Sequence, residues 1–176
     1  MPVGYASRIE SLDLSGGLKD SPAPMKMRES GHWATWYAPF DHVNTNARIV
    51  IVGITPGLQQ AGNALKAYQS ARRAGRSHEQ ALDSAKVFAS FSGPMRANLV
   101  AMLDFIGIAD LLSIDSCSEL FAGRSDLVHF TSALRYPVTR HGRNYTGTPQ
   151  IIANEYTPPA FAAWFPQQAP PLTKAP

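Results

Sequence analysis

The chain has a single cysteine, Cys117. A disulfide within the chain is therefore excluded, as is a multi-cysteine zinc site or an iron–sulfur cluster held by its own cysteines. A reducing, cytoplasmic setting is expected. No stretch approaches the ~20 apolar residues of a membrane span, and the opening MPVGYASRIESLDL has no apolar core of signal-peptide length. No membrane partner is expected. There is no internal repeat. No pair among His32, His42, His129 and His141 has metal-ligand spacing, so no metal and no cofactor is expected. Charge of one sign is also scarce: 16 Lys and Arg against 13 Asp and Glu leave a net +3 and a pI near 9.2. That mild basicity is compatible with a polyanionic partner and equally with a solvated surface.

What is present is enough for one domain. The 176 residues are 44% apolar, which allows one sizeable core. The most informative stretch is RIVIVGITPG at 48–57. Ile49, Val50, Ile51 and Val52 run straight into Gly53, a pattern that suits a parallel strand buried on both faces. Pro56 and Gly57 then make a tight turn at the strand's carboxyl end, where open α/β sheets place their ligands. Thr55 at the tip of that turn would present a hydroxyl and nearby N–H groups to a substrate.

Residues 1–30 are polar and rich in Gly, Pro and Ser, and read as a loosely held arm. HWATWYAPF at 32–40 reads as an edge strand or extended loop, because Pro39 argues against a central strand. It serves either as an aromatic lid on the core or as a surface on which a base stacks. Helices are expected over 63–74, with Asn63 as N-cap and Gly75 as stop, and over 77–88, where Ser77 and Gln80 have capping-box spacing. A third is expected over 93–106, with Pro94 in its first turn and Met95, Leu99, Met102, Leu103 and Ile106 forming a core stripe. A short helix starts near Ser116. Residues 126–134 form the second strand, and 135–149 (RYPVTRHGRNYTGTP) a basic loop. The last 20 residues hold six prolines and read as a tail from 157 onward, leaving 31–156 as the α/β domain. Strands separated by helices argue for a mostly parallel sheet, completed by weaker segments near 33–38 and 150–156.

Three ordered stretches carry a family resemblance. IVGITPG resembles the first motif of the uracil-DNA glycosylase superfamily, FSGPMRANLVAMLDFIGI (91–108) resembles its helix ending in ML..IG, and LVHFTSALRYP (127–137) resembles its base-reading strand. Order and spacing agree over 48–149. The resemblance implies a three-layer α/β/α fold around a central, mostly parallel sheet. It implies a DNA partner and an activity that flips an altered base such as uracil out of the stack and hydrolyses its bond to the sugar. Carried over residue by residue, Thr55 falls where the family places the water-orienting carboxylate or amide, with Gly53, Ile54, Pro56 and Gly57 shaping the pocket. Ser132 falls where the family often has a base-reading Asn. A threonine hydroxyl hydrogen-bonds water but carries no negative charge, and a single serine hydroxyl cannot make a paired donor–acceptor contact. The family's late His-containing motif has no counterpart after residue 149, as in a shortened domain. Loss of a strand would leave an open sheet edge suited to a homodimer.

Arg135, Arg140, His141 and Arg143, interleaved with Tyr136, Asn144 and Tyr145, form a basic stretch suited to phosphate and exposed-base contact. Arg72, Arg73 and Arg76 instead complement a helix C-terminus. Three functions remain open on the residues alone: a base-excising enzyme, a decayed module that grips DNA or a partner without cutting, and a binder of a nucleotide or other small phosphate at the strand–turn–helix. The last lacks both the Lys-Ser/Thr of a P-loop and the dinucleotide fingerprint.

Overall fold

The computed structural model describes residue 2 and residues 4–14 and 23–148. The elements are helix α1 (Tyr5–Ser11), strands β1 (Lys26–Ser30), β2 (Trp33–Trp36) and β3 (Ile49–Gly53), helices α2 (Leu58–Arg73), α3 (His78–Ala89), α4 (Pro94–Phe105) and α5 (Ile108–Leu112), and strands β4 (Val128–Ser132), β5 (Val138–Arg140) and β6 (Arg143–Asn144). The fold is mixed α/β. β3 and β4 pair in parallel, in register from Ile49–Val128 to Gly53–Ser132, with the helices forming the crossover between them. The other four strands make an antiparallel sheet in the order β1-β2-β5-β6. Among the described residues, parallel pairing is thus confined to two strands rather than running through a central sheet.

The basic loop expected at 135–149 is largely a hairpin. His141 and Gly142 have φ of 50° and 71° between Arg140 and Arg143, the pair of positive values that a two-residue primed turn requires. β5 then pairs with β2 from Trp33–Arg140 to Thr35–Val138. β2 is consequently flanked on both sides. It ends at Trp36, so Pro39 lies beyond it and does not interrupt the ladder. Its aromatic surroundings are mostly core: Trp33 and Tyr37 are buried away from the cavity, whereas Phe40, also buried, lines it.

The first 30 residues are not a loose arm where they are described. Ile9 is fully buried, Tyr5 stacks on Tyr37 at 4.3 Å, and the Gln69 amide donates to the carbonyls of Ile9 and Leu12 at 2.9 Å each. α2 starts five residues earlier than expected, with Gly57 as N-cap; Asn63 instead donates its amide to Ser92 Oγ. The capping box of α3 is formed as the spacing predicts, Ser77 Oγ accepting from Gln80 N–H and Gln80 Oε1 from Ser77 N–H. Cys117–Phe121 is a 3-10 helix.

Two expectations about burial fail together. Val50 and Val52 are 40% and 53% exposed, so β3 is covered on one face only, where Ile49 and Ile51 meet the cluster built by α5, Leu120 and Phe130. α4 contains no fully buried residue: Val100 and Leu103 touch that cluster, whereas Met95, Met102 and Ile106 of the expected core stripe are exposed. Both faces lack a covering layer among the described residues. Residues 149–176, including the expected strand near 150–156 and the proline-rich tail, lie outside the described set.

Candidate functional site

The parallel pair ends in an open cavity of about 480 Å³ at the carboxyl ends of β3 and β4. The ladder continues past both strands, with Ala133 N–H donating to Gly53 O at 2.8 Å and Leu134 N–H to Ile54 O at 2.9 Å. This holds the two strand exits side by side. Gly53, Ile54, Thr55, Pro56 and Gly57 line one wall, and Ser132 and Arg135 line the neighbouring one. A methyl group at Gly53 would come within 3.3 Å of Ser132 Oγ, and one at Gly57 within 3.3 Å of the Asn144 amide, so a side chain at either position would press on a residue of the opposite wall.

Thr55 is a latch between the walls. Its hydroxyl donates to Tyr136 O at 3.0 Å and accepts from Val138 N–H at 3.3 Å. One lone pair remains, enough to accept a hydrogen bond from water, but the hydroxyl proton is committed to the Tyr136 carbonyl. Asn144 makes the second connection, its Oδ1 accepting from Leu58 N–H at 3.0 Å in the first turn of α2. The hairpin is therefore tied to the strand-exit bend at two points, and Asn144, Tyr145 and Thr146 join the cavity lining.

The basic stretch divides. Arg135 lines the cavity, 3.5 Å from Asp41 Oδ1. Arg140, His141 and Arg143 sit on the adjoining hairpin instead. Arg140 places its guanidinium 5.4 Å from the centre of the Trp33 ring, His141 stacks on His32 at 4.4 Å with rings 4° apart, and Arg143 is exposed. Arg72, by contrast, lies with Arg73 in the last turn of α2 and bonds Glu10 of α1 at 3.0 Å and the Arg76 carbonyl at 2.8 Å.

Three contributors escape notice in the sequence. Phe91 follows α3 with a φ of +52°, a conformation that costs an ordinary L-residue energy and persists only where surroundings demand it. Its ring lines the cavity 6.0 Å from Phe130 at 58°. The breaker run Ser92-Gly93-Pro94 right behind it was the available signal. Asp41 is the second. Its carboxylate accepts from Tyr37 and Tyr136 hydroxyls, both at 2.7 Å, besides facing Arg135. Burial first, and then the Asp41 charge, push both phenols up. The third is Lys86 of α3, which lines the cavity although it is 3% exposed. Its ammonium donates to the His42 carbonyl. Burial, followed by the nearby Arg135, lowers its pKa to about 7, against the pull of Asp41 and Asp83.

His129 lies behind this cluster in β4. It is a core histidine, 1% exposed, whose Nδ1 accepts from Asn44 N–H at 3.3 Å. Burial, with Lys86, His42 and Arg135 adding to it, depresses its pKa to about 3, so the ring is neutral at ordinary pH. Among the described residues lining the cavity there are two cations, Lys86 and Arg135, and no carboxylate.

Comparison with known proteins gives a relative at substantial identity. A curated protein of Bacillus subtilis (strain 168), YoxB, described as uncharacterized, is 36% identical over 146 residues, which is 82% of this chain and 56% of that protein. The chain thus spans a little over half the length of the relative it matches. No family model matches the chain, and no solved structure matches it.

Proposed function

We propose that the cavity receives a planar base extruded from DNA, and that the protein is a uracil-DNA glycosylase-like base-recognising and base-excising hydrolase. The observation that carries this reading is the convergence of the threonine-bearing bend, Ser132 and Arg135 on one cavity, on two adjoining walls, with the Phe91 and Phe130 rings beside them. A volume of about 480 Å³ leaves room for a nucleobase and part of its sugar. The cationic hairpin at the rim, Arg140 to Arg143, supplies phosphate contacts, and its salt-sensitive grip offsets the few kcal/mol of unstacking. Thr55 orients water through its remaining lone pair, and Ser132 meets the base edge. In this reading β3 and β4 belong to a larger, mostly parallel sheet with helices on both faces, and β3, which pairs only with β4 among the described residues, offers an open edge to a second copy.

The cavity wall without a carboxylate favours a second reading, recognition of an altered base without cleavage. A gel assay of base release from single- and double-stranded DNA containing uracil, run beside salt-dependent DNA binding, separates the two. Base release supports the enzyme. Binding with a steep salt dependence and no release supports the recognition module, and absence of DNA binding removes both.

A further inference from the structure

We infer that Lys86, acting with Arg135, makes the cavity selective for planar rings that carry negative charge or develop it on departure, such as pyrimidine-diones, over rings that leave neutral. This deepens the base-pocket reading above and rests on it. The charged and titratable groups that face Lys86 come from every side of it: Asp83 from its own helix, Asp41 and His42 from the segment after β2, His129 from β4, and Arg135 from the loop after β4. His129 is neutral, and Asp83 is half exposed and lies 3.4 Å from His42 Nε2. Asp41 is the one buried carboxylate of this group, and it already accepts from two tyrosines and faces Arg135. With Lys86 protonated, a buried ammonium and the partly buried guanidinium of Arg135 both face this carboxylate.

A buried charge without a full counter-charge either loses its proton or waits for a ligand that supplies one. The lowered Lys86 pKa is the first outcome, in the empty cavity. A ring anion supplies the second. It draws a proton back onto the amine, so binding above neutral pH takes up a proton. Base cleavage makes the same demand. The electron pair of the sugar–base bond stays on the ring nitrogen, while water adds its oxygen to the sugar carbon and releases one proton. A dione ring spreads the resulting negative charge over its nitrogen and two carbonyl oxygens, within the field of an ammonium and a guanidinium.

The test is calorimetric titration of the full chain with 5-nitrouracil, an anion at neutral pH, and with cytosine, in two buffers of different ionisation enthalpy at pH 8, for the wild type and for Lys86→Met. Uracil release from DNA is measured in parallel. Methionine keeps the length of the apolar stem and removes the charge. In the wild type we expect 5-nitrouracil to bind at least about tenfold tighter than cytosine and to take up a proton approaching one per site, and in Lys86→Met we expect both effects to disappear. Independently of any variant, wild-type affinity for 5-nitrouracil should fall by about tenfold per pH unit above neutrality, as the amine loses its proton. Equal binding of the two rings, a pH-independent affinity, or unchanged proton uptake in Lys86→Met overturns the inference. Uracil release without these effects overturns it and leaves the glycosylase reading standing. Proton-linked 5-nitrouracil binding without uracil release does the reverse. Neither binding nor release removes both.

Discussion

Thr55→Val tests whether the strand-exit bend is held by its hydroxyl. Valine has nearly the same shape, so the change removes two hydrogen bonds and little volume. The donated bond to Tyr136 O, at 3.0 Å, is of ordinary length; the bond accepted from Val138 N–H, at 3.3 Å, is long. A net ~1 kcal/mol for the first and somewhat less for the second would be expected on bond count alone. Val138 is 1% exposed, however, and its orphaned N–H has no water to turn to, which adds a desolvation cost of roughly 1 kcal/mol. The sum is about 2 to 3 kcal/mol. With a urea m-value of about 2 kcal/mol/M for a domain of this size, the unfolding midpoint should fall by about 1 M with the slope unchanged. Thr55→Ser keeps the hydroxyl and should lose less than half as much. The same pair separates structure from chemistry: if Thr55 also orients water, Thr55→Ser retains base release and Thr55→Val loses it under conditions where both remain folded. An unfolding midpoint for Thr55→Val within error of the wild type would refute the latch.

Asp41→Asn keeps the shape of the side chain but removes the charge that accepts from Tyr37 and Tyr136 and faces Arg135; we expect a loss of about 3 kcal/mol in thermal or urea unfolding. Acid should destabilise the protein through His129. Its folded pKa, about 3, lies below the unfolded value of ~6.5, so its contribution is complete above pH 6.5 and is lost as pH falls from there towards 3, with a slope of up to about 1.4 kcal/mol per pH unit. Urea midpoints between pH 4 and 7 should show this slope, and His129→Leu should flatten it. Val50→Lys combined with Val52→Lys should change stability by less than about 1 kcal/mol where that face of β3 is uncovered, both residues being about half exposed, and by several times more where a helix layer covers it as the α/β/α reading requires; light scattering should show loss of any self-association through β3.

The elements that were legible in the sequence are those specified by near neighbours. The β-branched run of β3, the serine and glutamine bracketing the first turn of α3, and the apolar residues of β4 each declare themselves within a few positions. The antiparallel sheet does not, because Trp33 pairs with Arg140 across more than a hundred residues and the period-2 signal of a four-residue strand is too short to stand out. The turn residues His141 and Gly142 were readable as a hairpin tip, but the arginines on either side drew attention to charge instead. α4 shows the limit of periodicity. Helical spacing identifies an apolar stripe but not the neighbour that covers it: of the expected stripe Leu103 packs against the cluster, beside Val100 from outside it, whereas Met95, Met102 and Ile106 are exposed. At the cavity, Thr55 was legible from the turn that ends a strand, Ser132 from the family resemblance and Arg135 from the basic stretch after β4. Lys86 and Asp41 were missed because a lone lysine in an amphipathic helix, or a lone aspartate after an aromatic run, is ordinarily solvated.

Asp41 precedes the glycine-bearing bend in the chain, yet it sets the charge on the far wall of the cavity. It is positioned by Tyr37, which leans on Tyr5, which belongs to α1. The segment spanning the recognisable motifs, 48–149, is therefore not a self-sufficient unit. Trimmed to that span, the chain would keep its threonine, serine and arginine but lose the counter-ion that fixes the arginine's direction, along with the carbonyl of His42 that anchors the lysine. Minimal variants that begin at the glycine-bearing bend would discard the electrostatic half of the pocket.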